Sequence, residues 1–361
     1  MGSHLQTPGG KPRARSLGIP FRGTPGEWNA ITDVPGIEVG YTTLIEGPNV
    51  RTGVTAIHPR GRNDYGDPVA AGFHCQNGNG EMTGVSWISE SGTFAGPVAI
   101  TNTHAVGIAH AGIVAWAVRD HPALADTWLL PVAAETWDGY LNDINGHHVQ
   151  ERHVINALDI AVSGPIEEGS VGGGTGMNCY HFKAGSGTAS RRVGHAKTDY
   201  TVGVFVQANF GNRDELTIAG VRLGDEFKDD DPMLAYRLAP PGAGSVIAIV
   251  ATDAPLLPHQ CAAMARRVTS GLARTGTSGS HYSGDLFLAF STANENAFMQ
   301  TRYGRLQFVP WSQLDPFFEA VVQATEEAVL NSLTANEDMT GRDGHRTPAL
   351  PREKIAGVFN R

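Results

Sequence analysis

An α+β fold of stacked sheets covered by helices is what the sequence predicts. Three observations predict it: strand-like apolar runs that come in pairs, amphipathic helical segments between those pairs, and Gly/Pro turn chemistry separating the two. The 361 residues are 41% hydrophobic and 17% charged, ample for a sizeable core. The 45 glycines and 21 prolines cluster between apolar runs, as in a loop-rich globular chain and unlike a disordered one.

In chain order, residues 1–30 are rich in Pro, Gly and Arg and read as an extended arm, whose first four residues, MGSH, look like an expression remnant. ITDVPGIEVGYTTL alternates as strand and hairpin, and RTGVTAIHP is a short strand ending at a proline. FAGPVAITNTH gives a strand and a turn, followed by a helix from about Val106 to Arg119. VQERHVINALDIAV places Val149, Val154, Ile155, Leu158 and Val162 on one helical stripe. YTVGVFVQANFGNRDELTIAGVRLG reads as strand, turn, strand. DEFKDDDPMLAYRLAPPGAG, first charged and then Pro/Gly-rich, is the best linker candidate. The pattern then restarts. SVIAIVATDA is a buried strand, LPHQCAAMARRVTSGLARTG an amphipathic helix closed by Gly276, and SGDLFLAFSTAN another strand. DPFFEAVVQATEEAVLNSLTANE is a long helix, and RDGHRTPALPREK reads as a tail.

Charge and cysteine content narrow the function classes. Net charge is −9 without a Lys/Arg stripe, which argues against nucleic acid or an anionic membrane as partner. Cys75, Cys179 and Cys261 are odd in number, far apart and form no CxxC pair, so a reducing cytoplasm is expected. No apolar run reaches the roughly 18 residues that would cross a bilayer, and no signal-peptide core is visible.

The segment with most chemical promise is APPGAGSVIAIVATDAP, where Gly244-Ser245 opens a buried strand. A serine hydroxyl needs a base to act as nucleophile at neutral pH. Scission of the Gly244–Ser245 bond would supply one, because a free α-amine has a reference pKa of about 7.7–8.0. Glycine in front leaves its carbonyl open to attack by Ser245 Oγ. The plain alternative is a Gly-Ser pair that merely begins a strand. VGGGTGMN (residues 171–178) lacks the GK[ST] of a phosphate loop and reads better as a glycine loop lining a pocket. HExxH spacing is absent, and His58, His74, His104, His110, His147 and His148 read as ordinary histidines, so no metal is expected. Glu135, Asp138, Asn142 and Asp143 fall close together, either as solvated acids or as a carboxylate that receives a substrate ammonium. Asn209 ends a strand, as a turn residue or as an amide donor to an oxyanion. Ser283 and Asp285, two apart at a strand entry, share one face and could bind an α-amine.

Taken together the segments resemble the self-processing L-aminopeptidase D-Ala-esterase/amidase family, which includes the β-aminopeptidases. The match runs from PRARSLGIPFRGTPGEWNAITDVPGIEVGYTT through LLPVAAETWDGYLND, EGSVGGGTGMNCYHFKAGSGTASR and YTVGVFVQANFG to GAGSVIAIVATDAPLLPHQ and SGDLFLAFSTAN, roughly residues 12–300. The resemblance implies a four-layer αββα sandwich of the N-terminal-nucleophile-hydrolase type. It also implies a precursor cut into an α chain (5–244) and a β chain (245–361) of one folding unit. By the same resemblance Ser245 is the nucleophile and Gly244-Ser245 the cleavage site. Asn209 is the oxyanion donor, and Ser283 and Asp285 hold the new α-amine. Glu135 recognises the substrate's free amine, and Trp137 shapes the pocket. No cofactor is implied. The implied substrates are short peptides, amides or esters with a free amino terminus, and the implied assembly is a homo-oligomer of four αβ pairs. β-Peptide-specialised members tend to carry Asn before the nucleophile and Glu at the place of Asp285, so Gly244 and Asp285 resemble the L-aminopeptidase branch more closely. Three alternatives stay open: an acyltransferase of the ornithine acetyltransferase type, which uses Thr as nucleophile, an endo-acting amidase for synthetic polyamide oligomers, a type that also favours Thr, and a glycine-loop binding protein that is never processed.

Overall fold

A computed structural model describes residues 2–236, 244–299 and 303–360. Ten strands build two sheets. The first sheet has the order β1 (Glu38–Glu46), β2 (Val50–His58), β5 (Val98–Asn102), β6 (Val132–Thr136). The second has the order β4 (Thr93–Phe94), β3 (Val69–Gly78), β10 (Ser283–Ser291), β9 (Gly244–Thr252), β8 (Thr198–Asn209), β7 (Ser186–His195). Six helices accompany them: α1 (Val85–Ser91), α2 (Val106–Asp120), α3 (Glu151–Asp159), α4 (Pro258–Ala273), α5 (Asp315–Thr334) and α6 (Arg352–Phe359). Helices α2 and α3 pack on the first sheet, and α4 and α5 on the second.

Three apolar layers result. Ile57, Ile100, Phe205, Ile247, Ile249, Leu286 and Leu288 fill the space between the sheets. Val246, Ala248, Val250 and Phe287 face α4 and α5, through residues such as Met264, Val268, Val321 and Leu330. Val54, Ala56 and Ala133 face α2 and α3, through Trp116, Val154 and Leu158. Successive residues of β9 thus serve alternate layers, the period of two that a strand imposes. Because both of its faces are covered, β9 is continuously apolar instead of alternating. The expected αββα sandwich is the observed one.

Local signals explain most element ends. Pro258 opens α4 at a position where a missing N–H costs nothing, and Gln260 Oε1 accepts from Leu257 N at 2.8 Å. Helix α4 stops at Ala273, and Gly276, at φ +110°, lies in the turn after it instead of closing it. Val162, expected on the α3 stripe, falls beyond the helix and is exposed.

Both chain ends depart from expectation. The arm is no loose extension: Ala14, Leu17 and Ile19 are buried, and Arg13 and Arg15 pair with Glu168 and Glu327. The tail likewise buries Thr347, Leu350 and Ile355 and carries α6. In the linker, Gly224–Phe227 and Pro232–Ala235 form short 3₁₀ turns, with Phe227 in the core, while residues 237–243 lie outside the described part.

Candidate active site

Register brings the predicted residues together. Strand β9 lies between β8, antiparallel, and β10, parallel. Ser245 therefore sits opposite Asn209 on one side and Gly284 on the other. Gly244 precedes it where the chains nearly touch: a Cβ there would lie 2.9 Å from Phe210 Cα and collide with the Asn209 carbonyl.

Ser245 is 2% exposed, and its Oγ faces the inter-sheet layer with Ile247 and Ile249. Two donors converge on that oxygen, Trp137 N at 3.2 Å and Asn209 Nδ2 at 3.4 Å. The orientation of the Asn209 amide follows from its partners. Asn178 N can only donate and meets Oδ1 at 3.0 Å; Trp137 O can only accept and meets Nδ2 at 2.9 Å. The N–H₂ end is thereby turned toward Ser245.

Ser283 and Asp285 flank Gly284 on β10. Ser283 Oγ donates to Asp285 Oδ1 at 2.6 Å, and Asn77 Nδ2 donates to Oδ2 at 2.8 Å. Burial pushes the Asp285 carboxyl up, opposed by hydrogen bonds from Ser283, Asn77 and the Val246 amide. Alternation puts this pair on the sheet face opposite Ser245 Oγ, because Leu286 and Leu288 face the inter-sheet layer while Phe287 faces the helices. The part of Ser245 within the pair's reach is the main chain at the strand's start, not the hydroxyl.

Glu135, 2% exposed, is the next-to-last residue of β6, beside Thr101 of β5. Its Oε1 accepts from Glu81 N at 2.8 Å, and its Oε2 from Thr103 Oγ1. Burial pushes its carboxyl above the ordinary glutamate value, against those two hydrogen bonds. Between Glu135 and strand β9 run two glycines in close backbone contact, Gly80 and Gly284. Trp137 contributes its main chain to the site, while its ring lies 6.5 Å from that of Tyr236.

Neighbouring features sort themselves out. Asp138 and Asn142 are buried, not solvated, and burial raises the Asp138 carboxyl to about 7, partly offset by Thr52 and Asn142. Asp143 is half-exposed. The glycine loop is closely packed on both of its sides. Gly172, Gly173 and Gly174 are buried, and a Cβ on Gly173 would strike Gln207 and the Ile100 carbonyl, so the loop is a backbone packing piece. Among the described residues no group of His, Cys, Asp and Glu could hold a metal ion. Sequence reasoning missed the supports: Asn77, Asn178, Thr103 and the Glu81 amide. None carries a local pattern, since each acts across 30 or more residues of chain.

Comparison with known proteins adds the family. The model of peptidase family S58 matches residues 29–347. Beta-peptidyl aminopeptidase BapA of Sphingosinicella microcystinivorans is 46% identical over 375 residues, covering 97% of this chain and 92% of the relative. Its counterpart from Sphingosinicella xenopeptidilytica is 46% identical over 368 residues, covering 96% and 91%. Among solved structures, the L-aminopeptidase D-Ala-esterase/amidase of Ochrobactrum anthropi, described as a variant of the Ntn hydrolase fold, superposes with a TM-score of 0.91 at 46% identity, over 97% of this chain and 99% of that one. A beta-aminopeptidase of Burkholderia sp. gives 0.87 at 43% identity, over 96% and 98%.

Proposed function

This chain belongs to peptidase family S58 and is a hydrolase of the aminopeptidase/amidase type; we propose that Ser245 is its nucleophile, released as a new amino terminus by scission of the Gly244–Ser245 bond. The carrying observation is the convergence of Trp137 N and Asn209 Nδ2 on Ser245 Oγ at the first buried position of β9.

In the precursor, Ser245 Oγ attacks the Gly244 carbonyl. The C–N bond breaks, an ester forms, and water hydrolyses it, leaving residues 5–244 as α chain and 245–361 as β chain. Substrates are short peptides, amides and esters with a free amino terminus. The substrate ammonium docks at Glu135. Ser245 Oγ attacks the first carbonyl and its own α-amine takes the proton, held and tuned by Ser283 and Asp285. Asn209 Nδ2 and Trp137 N donate to the tetrahedral oxyanion. The proton passes to the leaving amine or alcohol, and water then hydrolyses the acyl-enzyme. No metal takes part in these steps. The substrates to be tried follow the relatives' names, beta-peptidyl aminopeptidase and L-aminopeptidase D-Ala-esterase/amidase: β-peptides, L-peptides, and D-Ala esters and amides. Assembly as a homo-oligomer of four αβ pairs, acting in the cytoplasm, belongs to the same reading.

The test is Ser245→Ala, analysed by intact mass and Edman sequencing beside a panel of L-Ala, D-Ala and β-Ala p-nitroanilides. The expected result is an uncut chain without turnover, against a wild type with a second start at Ser-Val-Ile-Ala. Full turnover in Ser245→Ala would overturn the assignment.

A further inference from the structure

Behind Asn209 stands a lysine, within the segment EGSVGGGTGMNCYHFKAGSGTASR, to which the proposed chemistry gives no role. Lys183 is fully buried, yet among the described residues no carboxylate lies within ion-pairing distance of it. Its Nζ donates at 2.7 Å to the Met177 carbonyl and at 2.7 Å to the Ala184 carbonyl. Burial, with a smaller contribution from Lys11, holds its pKa well below the usual lysine value.

The Met177 carbonyl belongs to the same peptide group as Asn178 N, and Asn178 N donates to Asn209 Oδ1 at 3.0 Å. A continuous chain of hydrogen bonds therefore runs from Lys183 Nζ through one peptide unit and one carboxamide to Ser245 Oγ. Donors in such a chain polarise one another in a buried setting, and each link fixes the direction of the next. The link is built into the backbone. Asn178 and Lys183 face each other as a pair in a two-residue hairpin. Its turn residues, Tyr180 and His181, sit at φ +53° and +57°, where bulky side chains rarely go. Surrounding contacts hold the turn in place: Tyr180 N donates to Phe210 O at 2.8 Å, and Arg213 donates to the carbonyls of both turn residues, at 3.0 and 2.6 Å. Strain retained next to reacting groups, and over-determined in this way, marks a geometry that serves the site.

We propose that Lys183 is a positioning residue for the oxyanion donor: through the Met177–Asn178 peptide it fixes the Asn209 carboxamide with its N–H₂ end toward Ser245. The inference rests on the roles assigned above to Ser245 and Asn209. Its consequence is that Lys183 acts on turnover, and on self-cleavage, only by way of Asn209.

A double-mutant cycle tests this. Lys183→Met keeps the apolar stem and removes the donors. It is expected to lower kcat about tenfold, in the lower part of the range typical of supporting-shell changes, with KM nearly unchanged. Asn209→Ala should cost about 10²–10³ in kcat. The double variant should match Asn209→Ala alone, and the same pattern should hold for the rate of precursor cutting. A purely structural lysine would instead cost the same factor in both backgrounds; multiplied effects, or an unchanged kcat in folded Lys183→Met, overturn the inference. If Lys183→Met does not fold, Lys183→Gln, which keeps a polar end, takes its place in the cycle. Failure of both to fold beside a folded Asn209→Ala also overturns it, since Lys183 is then a residue of the fold alone. Ser245→Ala run in parallel separates the two levels. Turnover retained there sinks the hydrolase assignment itself, whereas an inactive Ser245→Ala with multiplying Lys183 and Asn209 effects sinks only the positioning role.

Discussion

Two buried polar clusters differ in how completely their members are paired. Around Glu327 on α5, Arg15 donates at 2.6 and 2.7 Å, Arg191 at 2.7 Å and Asn29 at 2.6 Å. Arg13 next to it spends its nitrogens on Glu168 and on the carbonyls of Ser3, Trp28, Asn29 and Thr188. Every carboxylate oxygen of Glu327 and every guanidinium nitrogen of Arg13 and Arg191 has a partner. Around Ser245 the pairing is incomplete. Among the described residues Asp138 Oδ2, Asn178 Oδ1 and Gln207 Oε1 have no hydrogen-bond partner, and the two donors to Ser245 Oγ stand at 3.2 and 3.4 Å. Complete pairing locks the N-terminal arm to a helix some 300 residues away in sequence. Incomplete pairing leaves buried polar atoms whose bonding capacity the described residues do not fill.

The largest effect should come from the saturated cluster and should leave chemistry alone. Glu327→Gln strips the counter-charge from two guanidiniums, one of them fully buried; breaking such a pair typically costs about 3–5 kcal/mol. Against the effect of burial, Arg191 and Arg15 hold the Glu327 carboxyl below its usual range. Its stabilisation is therefore present at neutral pH and lost as pH falls through the depressed folded-state value. The urea midpoint should drop sharply, with kcat per folded molecule unchanged. A variant of normal stability but poor kcat would erase the distinction between the clusters.

A smaller effect, of opposite kind, is expected from Glu135→Gln. The amide keeps an acceptor for the Glu81 N–H but loses the charge that, in the proposed scheme, would receive an ammonium. A hydrogen bond to a charged group is worth about 1.5–3 kcal/mol, so KM should rise roughly 10- to 100-fold with little change in urea midpoint. Because burial raises the Glu135 carboxyl, it becomes neutral at a higher pH than a surface glutamate does as pH falls. The acid limb of kcat/KM should lie above the ordinary glutamate pKa and flatten in the variant. For stability the sign reverses: a raised folded-state pKa favours the folded protein below the unfolded value, and that gain is lost as pH rises.

These two clusters also divide what the sequence made legible. Strand β9 and helices α4 and α5 were readable because a long apolar period and a proline start are local signals. Ser245 stood out because a hydroxyl opens an otherwise apolar strand, and Asn209, Ser283, Asp285 and Glu135 followed from the order of motifs. The arm and the tail were misread because composition suggested solvent, while their fixing contacts, such as Arg15 with Glu327, lie across the whole chain. The packing role of the glycine loop was hidden for a related reason. Its glycines answer close approach of Gln207 and the Ile100 carbonyl, and no period reports that. Supports such as Asn178 and Lys183 were invisible because they act through backbone atoms.

The smallest expected effect concerns a residue whose backbone and side chain do separate things. Trp137 gives its N–H to Ser245 Oγ and its carbonyl to Asn209, and neither contact depends on the indole. The ring instead opens an aromatic wall: Tyr236 lies 6.5 Å from it, Tyr140 lies 5.0 Å from Tyr236, and His345 stacks on Tyr140 at 4.7 Å. Trp137→Leu should therefore preserve self-cleavage and leave kcat on an alanine anilide nearly intact. It should shift the kcat/KM ratio between bulky and alanine-sized amino-terminal residues by about tenfold, the low end of what a change in pocket contacts yields. A uniform loss across all substrates would mean that the ring holds the backbone donors in place, which would move Trp137 from the substrate wall to the oxyanion support alongside Asn178.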